Sequence, residues 1–267
     1  MSGYISAEEV GQRLRQSGMT VGQLLLALIP QAQKYAIPPI SNFFVGAVAL
    51  GTTGSIYLGA NFEFVGQALS FSVHGEQAAT ANAMAHGETG LQMLAVSAAP
   101  CGYCRQFLYE LTTAPTLQIL IPNEPAAPLT ALLPAAFGPA DLGVTAALMS
   151  PQRHDLALSS DDPLVQAALN AANSSYAPYT SSYAGVALRT SDGGIYAGQV
   201  AENAAFNPSM SPLEQAIVNL VIGGDKTYAD VVDAVLVEAA NAKASQVAAT
   251  TDVLATITSV PLRVFAV

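Results

Sequence analysis

The chain has 267 residues, of which 51% are hydrophobic and only 10% charged, with a formal net charge of −10. Nine Lys plus Arg offer no basic face to neutralise phosphates, so no nucleic acid polymer is expected as a partner. The longest apolar runs are far too short to cross a bilayer, so no membrane partner is expected. Two cysteines make no disulfide framework. With no export pattern in Met1-Ser2-Gly3-Tyr4, the expected location is the cytoplasm.

Residues 4–16 read as a polar helix, with Ser6 as N-cap and Glu8 and Glu9 in its first turn. Thr20 caps a second helix over 21–34, and Leu24, Leu25, Leu28 and Ile29 form its apolar face. Pro38-Pro39 stops it. A strand over 44–50, turn residues 51–54 and a second strand over 55–59 follow, and Asn61 and Glu63 stand at the end of the pair. Alternation along the first strand turns one of Phe43 and Phe44 outward and leaves the other in the core. His74 opens a helix of small residues, 91–97 is a buried strand, Cys101 opens another helix, and 117–121 is the next strand. Pro122, Pro125, Pro128, Pro134 and Pro139 then mark a linker.

The second half repeats the first. Pro39 stands seven before Gly46, and Pro178 seven before Gly185. Gly46 stands thirteen before Gly59, and Gly185 thirteen before Gly198. Glu63 is echoed by Glu202, and Glu76-Gln77-Ala78 by Glu214-Gln215-Ala216 one residue out of register, which sets Pro212 opposite His74. The second half has no cysteine. The expected architecture is a duplicated α/β fold. Each copy is a three-layer α/β/α sandwich around a mixed sheet. The expected divisions are a short N-terminal helical segment (1–20), a zinc-bearing catalytic domain (21–123), a proline-rich linker (124–155) and a degenerate metal-free copy (156–267).

Residues 74–104 carry the chemistry. His74, Cys101 and Cys104 are three zinc ligands, and Glu76 stands two positions past the histidine. Three ligands leave the fourth tetrahedral position to water, as catalytic zinc sites do. This H-x-E…P-C-x-x-C pattern is the general signature of zinc deaminases. Zinc lowers the pKa of its water towards neutrality, and Glu76 would carry the proton. Arg105 is a candidate donor to the sulfurs. Left alone, Glu76 reads as a dipole-stabilised helix carboxylate, the C-x-x-C pair as a redox motif, and His86 and His154 as surface or loop residues.

The chain resembles the two-domain, homodimeric bacterial cytidine deaminases over essentially its whole length. The residues that carry the resemblance are Ser41-Asn42-Phe43, Gly59-Ala60-Asn61-Phe62-Glu63-Phe64, His74-Gly75-Glu76-Gln77, Pro100-Cys101-Gly102-Tyr103-Cys104-Arg105-Gln106, Ala136-Phe137-Gly138-Pro139 and 201–208. It implies one Zn2+ per chain and hydrolytic deamination of cytidine and deoxycytidine, with attack at C4 by zinc-activated hydroxide, in pyrimidine salvage. It implies that Asn61 and Glu63 bind the ribose hydroxyls and that Phe43 packs on the pyrimidine. Glu76 and the backbone at Gly75 and Ala99 would hold the base, while Phe137 and Phe206 close the pocket of the partner subunit. Gly75 departs from the alanine usual in that family. Two rival readings are a zinc-stabilised binding or scaffold protein, and a deaminase of a nucleotide or another aminated base.

Overall fold

The computed structural model describes residues 3–267, which cluster into two units. The first unit comprises the chain up to Glu63, Ser72–Ser150 and Asn203–Pro208. It begins with a short strand β1 (Tyr4–Ile5), helix α1 (Ala7–Ser17) and helix α2 (Val21–Ala32). Ser6 and Thr20 cap the helices as their sequence implies, Thr20 through a reciprocal bond with Gln23. The helix expected from residue 4 starts at Ala7, because Tyr4 and Ile5 pair with Tyr57 and Ile56 instead.

Strands β2 (Gly46–Gly51) and β3 (Ile56–Ala60) form a hairpin, followed by α3 (Gly75–Ala85), β4 (Leu91–Val96), α4 (Gly102–Leu108), β5 (Gln118–Leu120), β6 (Ala127–Pro128) and α5 (Leu129–Leu132). The sheet order is β1-β3-β2-β4-β5-β6, with β4 and β5 parallel and the other pairs antiparallel. Gly46 and Gly59 show how it is covered. A Cβ on Gly46 would lie 2.7 Å from the Ile29 carbonyl oxygen of α2, and one on Gly59 would lie 2.2 Å from the Ala79 nitrogen of α3. Gly46 pairs with Ala60 and Ala47 with Gly59, so the two glycines point to opposite faces. Helices α2 and α3 therefore sandwich the sheet, and only glycine lets them seat this closely. The proline-punctuated stretch packs as part of this unit through Ser150. Ala127 pairs with Ile119, Leu129 and Leu148 are fully buried, and Leu148 exchanges backbone bonds with Glu110 and Thr112.

The second unit comprises Phe64–Phe71, Pro151–Glu202 and Ser209–Val267. Its elements are α6 (Pro163–Asn173), β7 (Ala184–Thr190), β8 (Ile195–Gln199), α7 (Pro212–Val218), β9 (Val231–Glu238), α8 (Val247–Ile257) and β10 (Leu262–Ala266). The sheet order is β10-β9-β7-β8, with β9 and β10 parallel. Leu164, Val165, Ala168, Leu169 and Ala172 of α6 bury their side chains against Ala187, Val235 and Val237 of the sheet.

The duplication extends to backbone irregularities. The register of β2 against β4 slips between Leu50 and Gly51, and that of β7 against β9 slips between Arg189 and Thr190. Asn42 and Ser181, at matching positions, both have left-handed backbone, with φ of 54° and 57°. The helix caps correct the register read from sequence. His74 and Ser211 are the N-caps of α3 and α7, and Gln77 and Glu214 both stand at the third helical position and bond back to the cap. Glu214 therefore matches Gln77. Ser211 stands opposite His74, and Leu213 opposite Glu76. Gly198 meets Pro212 and Ala216 just as Gly59 meets Gly75 and Ala79.

Candidate metal centre and active site

His74 and Cys101 both occupy helix N-cap positions, at the starts of α3 and α4. Cys104 lies one turn into α4 and is buried, while Cys101 is exposed. His74 Nδ1 is 3.6 Å from Cys101 Sγ and 3.2 Å from Cys104 Sγ, and the sulfurs are 3.6 Å apart. A tetrahedral zinc site has edges of about 3.8 Å between sulfurs and about 3.6 Å between sulfur and nitrogen, from its bond lengths. The three donors already form such a face, and the pairing of thiolate with imidazole suits zinc. It is the one His/Cys/Asp/Glu cluster of this kind among the described residues.

The Cys104 thiol and His74 lie against Cys101 and hold its pKa down to about 3. The same contact between the sulfurs, together with burial, pushes Cys104 up. A metal takes both cysteines as thiolates, so binding one releases protons. Glu76 is 4% exposed and its carboxylate lies against Cys104. Burial raises its pKa above the ordinary carboxylate range. Arg105 reaches carbonyls, not sulfurs: it donates to Pro100 and Leu132, both at 2.8 Å. That braces the turn entering Cys101. Ala99 is exposed beside it.

Phe43 and Phe44 do not divide between core and solvent as strand alternation implies. Both are exposed, at 58% and 48%, because β2 starts only at Gly46 and side chains hold the loop before it. Asn61 accepts from the Val45 N–H and donates to the Phe43 carbonyl, both at 2.9 Å. Gln33 donates to the Phe44 carbonyl. Glu63 accepts from the Ile40 and Ser41 N–H groups at 2.9 Å and from the Ser41 hydroxyl at 2.5 Å. Burial opposes ionisation of Glu63, but these donors together hold its carboxyl below the ordinary range. Glu202 clamps Tyr179 and Thr180 identically in the second copy. A clamp retained without a metal cluster shows that this glutamate shapes the loop.

Gly75 has a physical counterpart too. A Cβ there would come 2.9 Å from Val45 Cγ1, so Val45 takes the room that an alanine methyl would need. Phe137 and Phe206 are 43% and 63% exposed, and Gln106 of α4 holds the backbone leading to each. Its amide donates to the Phe137 carbonyl, and its own carbonyl accepts from Asn203. His86 stacks on Tyr4 and His154 on Tyr183, outside the metal cluster.

Family models for the cytidine and deoxycytidylate deaminase zinc-binding region match residues 19–119 and 129–251. The cytidine deaminase of Shewanella amazonensis is 47% identical over 260 residues, covering 97% of this chain and 88% of that protein. The chain belongs to the two-domain bacterial cytidine deaminases. The Aeromonas hydrophila member is 50% identical over 240 residues, covering 90% of this chain and 81% of its own. The Shewanella sediminis member is 45% identical over 261 residues, covering 98% and 88%. Membership and the donor triangle together make this a zinc enzyme of the deaminase type.

Sequence reasoning missed the clamps on the Phe43 loop, and it missed Gln77 and Gln106 as tethers. One signal was available: Glu63 persists as Glu202 in a copy that keeps none of the metal ligands.

Proposed function

We propose that the chain hydrolyses cytidine and deoxycytidine to uridine and deoxyuridine with release of ammonia. The observation that carries this is the buried Glu76 carboxylate set against the His74–Cys101–Cys104 triangle. Zinc, held by those three residues, supplies Lewis acidity that makes water a nucleophile at neutral pH. The chain's own residues do the rest. Glu76 takes the proton from water as oxygen bonds to C4, and passes it to ring nitrogen N3. A second proton goes from the hydroxyl through Glu76 to the amino group. The C4–N bond breaks, ammonia leaves and the C4 carbonyl forms. Burial of Glu76 keeps bulk water away from these transfers.

Phe43 offers an exposed ring for the pyrimidine. Asn61 and Glu63 hold the loop that presents it and stand where the ribose hydroxyls would bind. Gly75 and Ala99 contribute backbone groups to the base. A carboxylate at Glu63 favours hydroxyls over a 5′-phosphate. On this reading the zinc domain is centred on 21–123 and the metal-free copy spans 156–267, with the proline-rich stretch 124–155 joining them and packing on the first unit through Ser150, after an N-terminal segment of 1–20. The functional unit is a homodimer in which Phe137 and Phe206 close the partner's pocket, and the enzyme works in cytoplasmic pyrimidine salvage. Among the described residues no helix is long and apolar enough to cross a membrane.

A substrate panel tests the proposal. Cytidine and deoxycytidine should be deaminated, with cytidine 5′-monophosphate and adenosine far behind. Preference for the monophosphate or for adenosine would move the chain to another deaminase class. Binding of all four without turnover would make it a binding protein.

A further inference from the structure

Segment Asn203–Pro208 belongs to the second half in sequence but clusters with the zinc-bearing unit. Its attachments go to the two helices that carry the metal donors. Glu110, just past α4 and fully buried, accepts from the Ala204 N–H at 2.9 Å. Asn203, also fully buried, donates to the Gln106 carbonyl of α4 at 3.0 Å. Gln77 of α3 donates to the Pro208 carbonyl at 3.4 Å. Gln77 follows Glu76 directly, and Gln106 is two residues past Cys104. Within the segment, Asn203 Oδ1 accepts from Ala205, and Phe206 adopts a left-handed φ of 62°. That backbone conformation is uncommon for a bulky side chain and persists only where the surroundings fix it.

We propose that Asn203–Pro208 is a strap that positions the zinc site of its own chain, anchored by Glu110 and Asn203. The strap ties the start of α3, with His74 and Glu76, to α4, with Cys101 and Cys104. It thereby fixes the spacing of the donor triangle. The second copy then serves the metal centre within one polypeptide, separately from any service to a partner. Glu110 and Asn203 are positioning residues. Both act through the strap.

The inference rests on the zinc reading and not on the substrate. The test is the rate of zinc release to a chelator from fully loaded protein, alongside KM, kcat and melting temperature. Glu110→Ala should release zinc about tenfold faster, the order of change that loss of one charge-assisted hydrogen bond brings. Glu110→Gln keeps an acceptor oxygen for Ala204 and should stay within about twofold of wild type, since a neutral acceptor retains part of that bond. Asn203→Ala should shift in the same direction as Glu110→Ala. Leu188→Ala, a core truncation in the other unit, lowers stability without touching the strap and should release zinc at the wild-type rate. Wild-type release from Asn203→Ala, or equal acceleration in Glu110→Gln and Leu188→Ala, would overturn the proposal. If Glu110→Ala does not fold, Asn203→Ala and Glu110→Gln still decide. A wild type that holds zinc but leaves cytidine unchanged would sink the substrate reading and leave this test intact.

Discussion

At the residue scale the proposed site divides into groups that would hold a metal and one that would move protons. Glu76 is buried against Cys104 but contributes no atom to the donor triangle. Glu76→Gln should therefore keep one zinc per chain while losing turnover by about 10²- to 10⁴-fold, the usual contribution of a general acid–base group. Zinc content and kcat measured on the same sample check this. Near wild-type turnover would remove Glu76 from the mechanism. Gly75 gives a second test. The methyl of Gly75→Ala would press on Val45 Cγ1, and Val45 is tied to Asn61. Gly75→Ala should raise KM, with a strain of about 1–3 kcal/mol typical of overpacking. Val45→Ala in the same chain should recover most of the loss, so a double-mutant cycle should show strong coupling. Simple additivity of the two changes would contradict the packing argument.

At the element scale, carboxylates hold turns at both ends of the β2–β3 hairpin. Glu63 closes one end and Glu88 the other. Glu88 is buried and accepts from the Thr52, Thr53 and Tyr57 hydroxyls and the Thr89 N–H. Burial opposes its ionisation, but these donors win and hold its carboxyl below the ordinary range. Tyr57 is pushed up to about 12 by burial and by the neighbouring carboxylate, so it remains a donor. A carboxyl depressed in the folded state stabilises fully above its unfolded pKa, about 4.3, and ceases to do so as pH falls through the lower folded value. The melting temperature of Glu88→Gln should therefore trail wild type clearly at pH 7, and the gap should narrow at pH 3. A gap of equal size at both pH values would refute the linkage.

The donor triangle was legible in the sequence because its donors sit in two short motifs, each at a helix start. The sandwich was legible because glycines recur at fixed spacing wherever helices press on the sheet. The clamps were not. Asn61 reaches back 16 residues to Val45 and Glu63 reaches 22 to Ser41, and such contacts leave no periodic trace. The register of the second copy slipped for a related reason. His74 stands eleven positions after Glu63, but Ser211 only nine after Glu202. Matching glutamate to glutamate across that shortened loop set Glu214 opposite Glu76. The helix caps set Leu213 there instead.

At the scale of the whole molecule, the two halves share strand register, bulge and clamp but not chemistry. The second copy retains what shapes a loop and has replaced what binds a metal, so a single zinc per chain should suffice for full activity. On the dimeric reading, the mass in solution should be twice the 27.4 kDa of one chain. A fully active species at the mass of one chain would remove the partner's Phe137 and Phe206 from the pocket. The most direct test of the whole account is turnover of cytidine by zinc-loaded protein, followed through loss of the cytosine absorbance with ammonia counted in parallel. The account expects one ammonia per cytidine consumed, with zinc at one per chain. An absorbance that stays constant at full zinc loading would contradict it.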